Sequence, residues 1–216
     1  MNFVLIPCKD LDRGKSRLAG CLSPRARARL CAFFLRRTIE VASVAFGRRW
    51  VRVITADRRV ASMAVEHGVG VIRDFRTGLN DALARGRARV LAEAGASGVL
   101  ILPIDLPLAT PAALRCIAAA PEAAIIVPDE NADGTNVLRL PPAALRQFVF
   151  AYGPQSFARH MATAHRIGIE MRRIDLPELV FDVDRPQQYA RWAPREPDWR
   201  IAGQRVGRRN AMQASA

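Results

Sequence analysis

Short apolar runs alternate with longer amphipathic stretches along most of this chain. Residues 3–7 (FVLIP) form an apolar run that reads as a buried strand. A polar, basic loop follows over residues 9–20. Ser23 and Pro24 start a helix, with Ser as N-cap and Pro at the first helical position. That helix runs to about Phe46. Residues 51–55 are a second strand, 60–67 a short helix and 69–72 a third strand. Asn80 is placed as the cap of a helix ending near Ala94. Residues 98–103 form a fourth, fully apolar strand. Thr110 and Pro111 cap a helix to about Ala119, and residues 124–127 are a fifth strand.

This alternation predicts an α/β fold, a single Rossmann-like domain with a mostly parallel sheet flanked by helices. The second half is less regular. Residues 135–140 read as a strand that can run antiparallel, 155–166 as a helix, 170–175 as a strand, and Pro186 opens a last helix to Trp192. Periodicity then stops. The expected organisation is one domain over residues 1–192 and a flexible basic tail over 193–216. No internal repeat is visible.

Composition narrows the function. The length of 216 residues supports a full core without staples. No run of 18 or more uncharged apolar residues exists, which argues against a membrane span. The first ten residues lack a basic leader and a cleavage site, so a secretory signal is not expected. Cys8, Cys21, Cys31 and Cys116 are scattered without a C-x-x-C pair, which fits a reducing, cytoplasmic setting. His67, His160 and His165 do not have the spacing of a helical zinc pair. The net charge of +13 invites a nucleic-acid reading. Yet all but two of the 33 basic residues are arginine, and no aromatic residues are interleaved with them. A biased composition accounts for the charge better than a polynucleotide surface does.

In doubly wound sheets ligands bind beyond the carboxyl ends of strands. The segment after the first strand, Pro7 to Leu18, holds both lysines of the chain, Lys9 and Lys15. A compact ammonium is a phosphate binder that arginine does not copy, although a solvated basic loop is the ordinary alternative. The loop is neither a P-loop nor a dinucleotide fingerprint. After the fourth strand, Asp105 leaves an apolar run between Pro103 and Pro107. Such a carboxylate suits a hard cation beside polyphosphate, or caps a turn. Asp182 and Asp184 lie two apart, on one face of an extended segment, where they repel unless a cation intervenes. Asp133-Gly134-Thr135-Asn136 opens a strand. Gly153-Pro154-Gln155-Ser156-Phe157 opens a helix whose free amides can hold an anion. His160 lies one turn in and either faces that anion or is structural. Gly78-Leu79-Asn80 is a weaker signal of the same kind.

Taken in order, Ile6-Pro7-Cys8-Lys9, Lys15-Ser16-Arg17-Leu18, Gly78-Leu79-Asn80, Asp105-Leu106-Pro107-Leu108, Asp133-Gly134-Thr135-Asn136, Gly153 to Phe157 with His160, and Asp182-Val183-Asp184 resemble the 2-phospho-L-lactate guanylyltransferase family of coenzyme F420 biosynthesis. The match spans about residues 2–192. More distantly, the chain is similar to molybdenum-cofactor guanylyltransferases and sugar nucleotidyltransferases. The resemblance implies condensation of GTP with a phosphorylated three-carbon acid: 2-phospho-L-lactate, phosphoenolpyruvate or 3-phospho-D-glycerate. It implies that Lys9, Lys15 and Arg17 hold the triphosphate and that Gly78, Leu79 and Asn80 line the guanine pocket. Asp105, Asp182 and Asp184 would bind two magnesium ions (Mg2+), and Thr135, Gly153, Ser156 and His160 would lie at the acid site. Lys15, Asp105 and Asp184 are the residues expected to carry the chemistry. Cys8 stands where a small aliphatic residue is commoner. An exposed sheet edge allows a homodimer. A pterin or sugar phosphate is the alternative acceptor, and a nucleic-acid-binding protein with residues 195–209 as an arm is the reading from another class.

Overall fold

The computed structural model describes residues 2–74, 78–94, 98–119, 122–196 and 199. In chain order, β1 is Asn2–Pro7, α1 Pro24–Phe46, β2 Val51–Thr55, α2 Arg58–Glu66, β3 Gly70–Arg73, α3 Leu79–Ala94, β4 Gly98–Ile101, α4 Pro111–Ala118, β5 Ala124–Pro128, β6 Thr135–Leu140, α5 Ser156–Arg166, β7 Met171–Arg173, α6 Pro177–Val180 and α7 Pro186–Trp192. The seven strands lie in the order β3-β2-β1-β4-β6-β5-β7. β6 pairs antiparallel with both β4 and β5, and the remaining pairings are parallel. The expected mostly parallel sheet is therefore present, with the antiparallel strand where the sequence allowed one.

Period-two alternation explains the two-sided core. Val4, Ile6 and Leu100 face α1, α2 and α4 through Leu35, Ile39, Val60 and Leu114. Phe3, Leu5, Val99 and Ile101 face α3 and α5 through Leu83, Val90 and Ala164. The chain builds β1, β2 and β3 outward on one side, then returns to place β4 on the other flank of β1. That reversal opens a crevice beyond the carboxyl ends of β1 and β4. The lysine loop leaves β1 there, and Asp105 follows β4.

Several boundaries differ from expectation. Asp57, not a residue nearer Val60, caps α2, because its carboxylate accepts from Arg59 N at 2.8 Å. Asn80 lies inside the first turn of α3 rather than capping it, and its side chain is used elsewhere. The loop over 9–20 contains two 3-10 turns, Leu11–Arg13 and Ser16–Leu18. Packing also continues beyond residue 192. Ala193–Arg195 form a 3-10 turn, and Ala193 and Trp199 are buried with Phe34, Tyr189 and Trp192. The expected tail boundary at 193 is thus displaced by aromatic packing, and residues 200–216 lie outside the described residues. No helix of the described residues is long and apolar enough to cross a membrane. All four cysteines are free.

Candidate active site

The lysine loop is pinned at three points. Leu11 N donates to Asp57 Oδ2 at 3.1 Å. Burial works against the Asp57 carboxylate, but the amides of Leu11 and Arg59 outweigh it and hold its pKa below the usual range. Gly14 passes so close to α1 that a Cβ there would lie 2.5 Å from Cys31 Sγ. Leu18 is fully buried against Leu30 and Phe34. Between these anchors Lys15 takes a left-handed backbone, φ 53°, a conformation that costs about 1–3 kcal/mol for a residue with a side chain. Its side chain turns inward and is only 6% exposed. Lys15 Nζ lies 2.7 Å from Asp105 Oδ2 and 3.6 Å from Asp184 Oδ1. Burial alone would discharge such an amine. The two carboxylates reverse that and raise its pKa.

The carboxylates come from two segments tied together. The loop around Asp105 is held on α1 by Arg37 Nε to Pro107 O at 2.7 Å and Thr38 Oγ1 to Ile104 O at 3.3 Å. Val183 N donates to Asp105 O at 2.9 Å. Val183 is buried in the same cluster as Leu18, so extended backbone turns Asp182 and Asp184 to the opposite side. Gln188, which sequence reasoning missed, fixes both. Its Oε1 accepts from Asp184 N at 3.0 Å and Arg185 N at 2.8 Å, while Nε2 donates to Asp182 Oδ1 at 3.1 Å. A Gln at the third position after a helix start is the detectable signal. Arg17 also pairs with Asp184. Burial first, then Asp105, pushes the Asp182 carboxyl up to about 7.

This donor set fits a hard divalent cation. It supplies three carboxylates, and Asp182, pushed up by burial first and then by Asp105, is a group whose ionised form a bound cation would favour. The described residues contain no group of three or more His, Cys, Asp or Glu arranged to hold an ion unaided. Magnesium at nucleotide sites takes one or two carboxylates and completes its shell with phosphate oxygens and water.

The opposite wall departs more from expectation. Lys9, Lys15, Arg17, Asp105, Thr135, Gly153, Ser156, Asp182 and Asp184 line one open cleft of about 840 Å³. Gly78 and Leu79 line an adjoining cavity of about 220 Å³, bounded by Pro7, Cys8 and Lys9, and Leu79 borders both. Asn80 and His160 stand behind these walls. The Asn80 amide bonds the Tyr152 backbone twice, donating to O at 3.1 Å and accepting from N at 2.8 Å. These two bonds hold the Tyr152 segment of the wall in place. His160 is completely buried, so it does not reach an anion in the cleft. Its ring meets Thr135 Oγ1 at 3.0 Å and Ala151 N at 2.9 Å. The first amides of α5 are also committed: Ser156 N to Gly153 O at 3.2 Å and Phe157 N to Asp133 O at 3.1 Å. Hydroxyls, more than those amides, are what this wall offers.

A buried lysine between carboxylates, at the switch point of a mostly parallel sheet, is chemically able to bind phosphates and balance charge. Residues 2–190 match the family described as guanylyl transferase CofC like. The chain belongs to that family. A phosphoenolpyruvate guanylyltransferase of Rubrobacter xylanophilus is 42% identical over 193 residues, covering 88% of this chain and 92% of the relative. Another phosphoenolpyruvate guanylyltransferase, from Chloroflexus aggregans, is 34% identical, covering 91% and 98%. Among solved structures, a nucleotidyl transferase from Methanothermobacter thermautotroptrophicus superposes with a TM-score of 0.61 at 17% identity, covering 88% of this chain and 96% of that one. CMP:2-keto-3-deoxy-manno-octonic acid synthetase, solved with CTP, gives 0.57 at 16% identity, covering 94% and 99%. At those identities the structures speak for the fold, which is that of nucleotidyltransferases. The family places this chain among them as an enzyme.

Proposed function

We propose that this chain condenses GTP with phosphoenolpyruvate and releases pyrophosphate, a step of coenzyme F420 biosynthesis. The observation that carries the reading is the buried Lys15 held between Asp105 and Asp184, facing Thr135 and Ser156 across one cleft. The curated relatives that share most of the chain's length are phosphoenolpyruvate guanylyltransferases. That name favours phosphoenolpyruvate over 2-phospho-L-lactate and 3-phospho-D-glycerate.

The reaction needs alignment and charge balance more than acid-base catalysis. The acceptor phosphate is largely a dianion at pH 7, since its second pKa is about 6. One of its oxygens attacks the α-phosphorus of GTP. A new P–O bond forms as the bond to the bridging α,β-oxygen breaks, and pyrophosphate leaves with that electron pair. No proton has to be removed from the nucleophile. Asp105, Asp182 and Asp184 would hold magnesium, which when bound supplies positive charge to the phosphates. Lys15 stays protonated through its carboxylate neighbours and offsets charge on the leaving group. Lys9 and Arg17 take the outer phosphates at the mouth of the cleft. Gly78 and Leu79 border the base. Thr135, Gly153 and Ser156 take the acid, and the fixed walls bring the two anions into line.

The test is pyrophosphate release from GTP and magnesium with each of the three acids in turn, and with a sugar phosphate. Release with phosphoenolpyruvate is the expected result. Release with only one of the other acids reassigns the acceptor, and release with only the sugar phosphate overturns the acid site.

A further inference from the structure

His160 belongs to none of the roles above, yet it is fully buried between four groups that fix it. Its ring lies 4.8 Å from that of Tyr152, edge on, and 5.6 Å from that of Phe148. Its Nε2 faces Ala151 N at 2.9 Å. A backbone N–H can only donate, so Nε2 must carry the lone pair. The proton of a neutral ring then sits on Nδ1, 3.0 Å from Thr135 Oγ1. A doubly protonated ring would set N–H against N–H at Ala151. Desolvation agrees, lowering the His160 pKa to about 4.

The consequence falls on Thr135. A hydroxyl has one proton and two lone pairs. The lone pair facing the ring is taken by Nδ1–H, so the hydroxyl proton lies on another side of the oxygen. Thr135 lines the cleft. With the amides of Ser156 and Phe157 already committed, this proton becomes a scarce donor on the acid-binding wall. We infer that His160 is a positioning residue, which through its fixed tautomer makes the Thr135 hydroxyl an obligate donor towards an anionic oxygen of the acceptor acid. The inference rests on the acceptor reading given above.

Two measurements test it. The first needs no substrate. In the intact wild-type protein at pH 7, the 15N shifts of His160 should show a protonated Nδ1 and a bare Nε2. The Nε2–H tautomer, or a cationic ring, overturns the inference. The second is a double-mutant cycle on the KM for phosphoenolpyruvate. Thr135→Val and His160→Met should each raise it about 10- to 100-fold, the range of a hydrogen bond to a charged group. The KM for GTP should stay within about threefold. The double variant should be no worse than Thr135→Val within about twofold, because His160 acts only through that hydroxyl. Additive losses, or equal losses for GTP, overturn the inference. Should His160→Met not fold, Thr135→Ser against Thr135→Val decides. Serine keeps the donor and should keep the KM within about threefold, and a loss equal to that of valine overturns the inference. If the wild type does not turn over with phosphoenolpyruvate at all, the acceptor reading fails while the tautomer result stands on its own.

Discussion

Lys15 and the three aspartates form one electrostatic unit, in which Asp105 and Asp184 keep the buried Lys15 charged. Replacing Asp184 by Asn leaves the shape and the Gln188 contact to its backbone N–H, which do not depend on the carboxylate. It removes one of the charges facing Lys15 and Arg17. Turnover of Asp184→Asn should fall on the order of 10²-fold or more, while the melting temperature changes little. A near-normal rate in a folded variant contradicts the assignment of this carboxylate. His160 makes a second prediction at this scale. Its folded pKa, about 4, lies below the ordinary 6.5, so the folded state binds fewer protons than the unfolded chain between those values. The stability is fully present above pH 6.5 and is lost as pH falls towards 4. The group accounts for about 3 kcal/mol over that window. Urea unfolding at pH 7.5 and pH 4.5 should show a steeper loss for wild type than for His160→Met, and parallel losses contradict the buried neutral ring.

At the scale of elements, the site depends on how loops are fastened to helices. Gly14 is the tightest example, because its backbone approaches Cys31 on α1 more closely than a Cβ permits. Gly14→Ala should displace the loop that carries Lys15, destabilise the protein by about 1–3 kcal/mol and lower turnover. Cys31→Ala in the same chain removes the obstructing sulfur. The double variant should recover much of the lost rate, and no recovery contradicts a steric cause. These fastenings also mark what the sequence made legible. Apolar runs at residues 3–7, 98–103 and 124–127 predicted β1, β4 and β5 because strands buried on both faces read as continuous hydrophobic stretches. The Ser23-Pro24 and Thr110-Pro111 caps are used as expected, accepting from Ala26 N and Ala113 N. Residues that work through partners remote in sequence were not legible. Asn80 reads as a helix cap and His160 as either an anion ligand or a structural histidine, and their partners, Tyr152, Ala151 and Thr135, meet them only once the chain is folded. Gln188 carries one pattern signal, its place three residues after a helix start, but that position does not show that it also ties down Asp182 and Asp184.

At the scale of the whole molecule, the strand order does the gathering. Lys15 and Asp105 are 90 residues apart in sequence, yet the return from β3 to β4 places them within 2.7 Å. The last segment then brings Asp182 and Asp184 across the same crevice, clamped by Leu18, Val183 and the aromatic cluster that extends to Trp199. The outcome is a cleft lined by Lys15 and the three aspartates and also by Thr135 and Ser156, with a smaller cavity beside it. The central claim is that this cleft joins a guanylyl group to the phosphate of an acid. Phosphorus NMR of the purified protein with GTP, magnesium and phosphoenolpyruvate tests it most directly. The account predicts that the GTP signals give way to free pyrophosphate and to the two coupled signals of a diphosphate linking guanosine to the acid. GTP and phosphoenolpyruvate that both persist unchanged, or conversion of GTP to GDP and inorganic phosphate with the acid untouched, would contradict it.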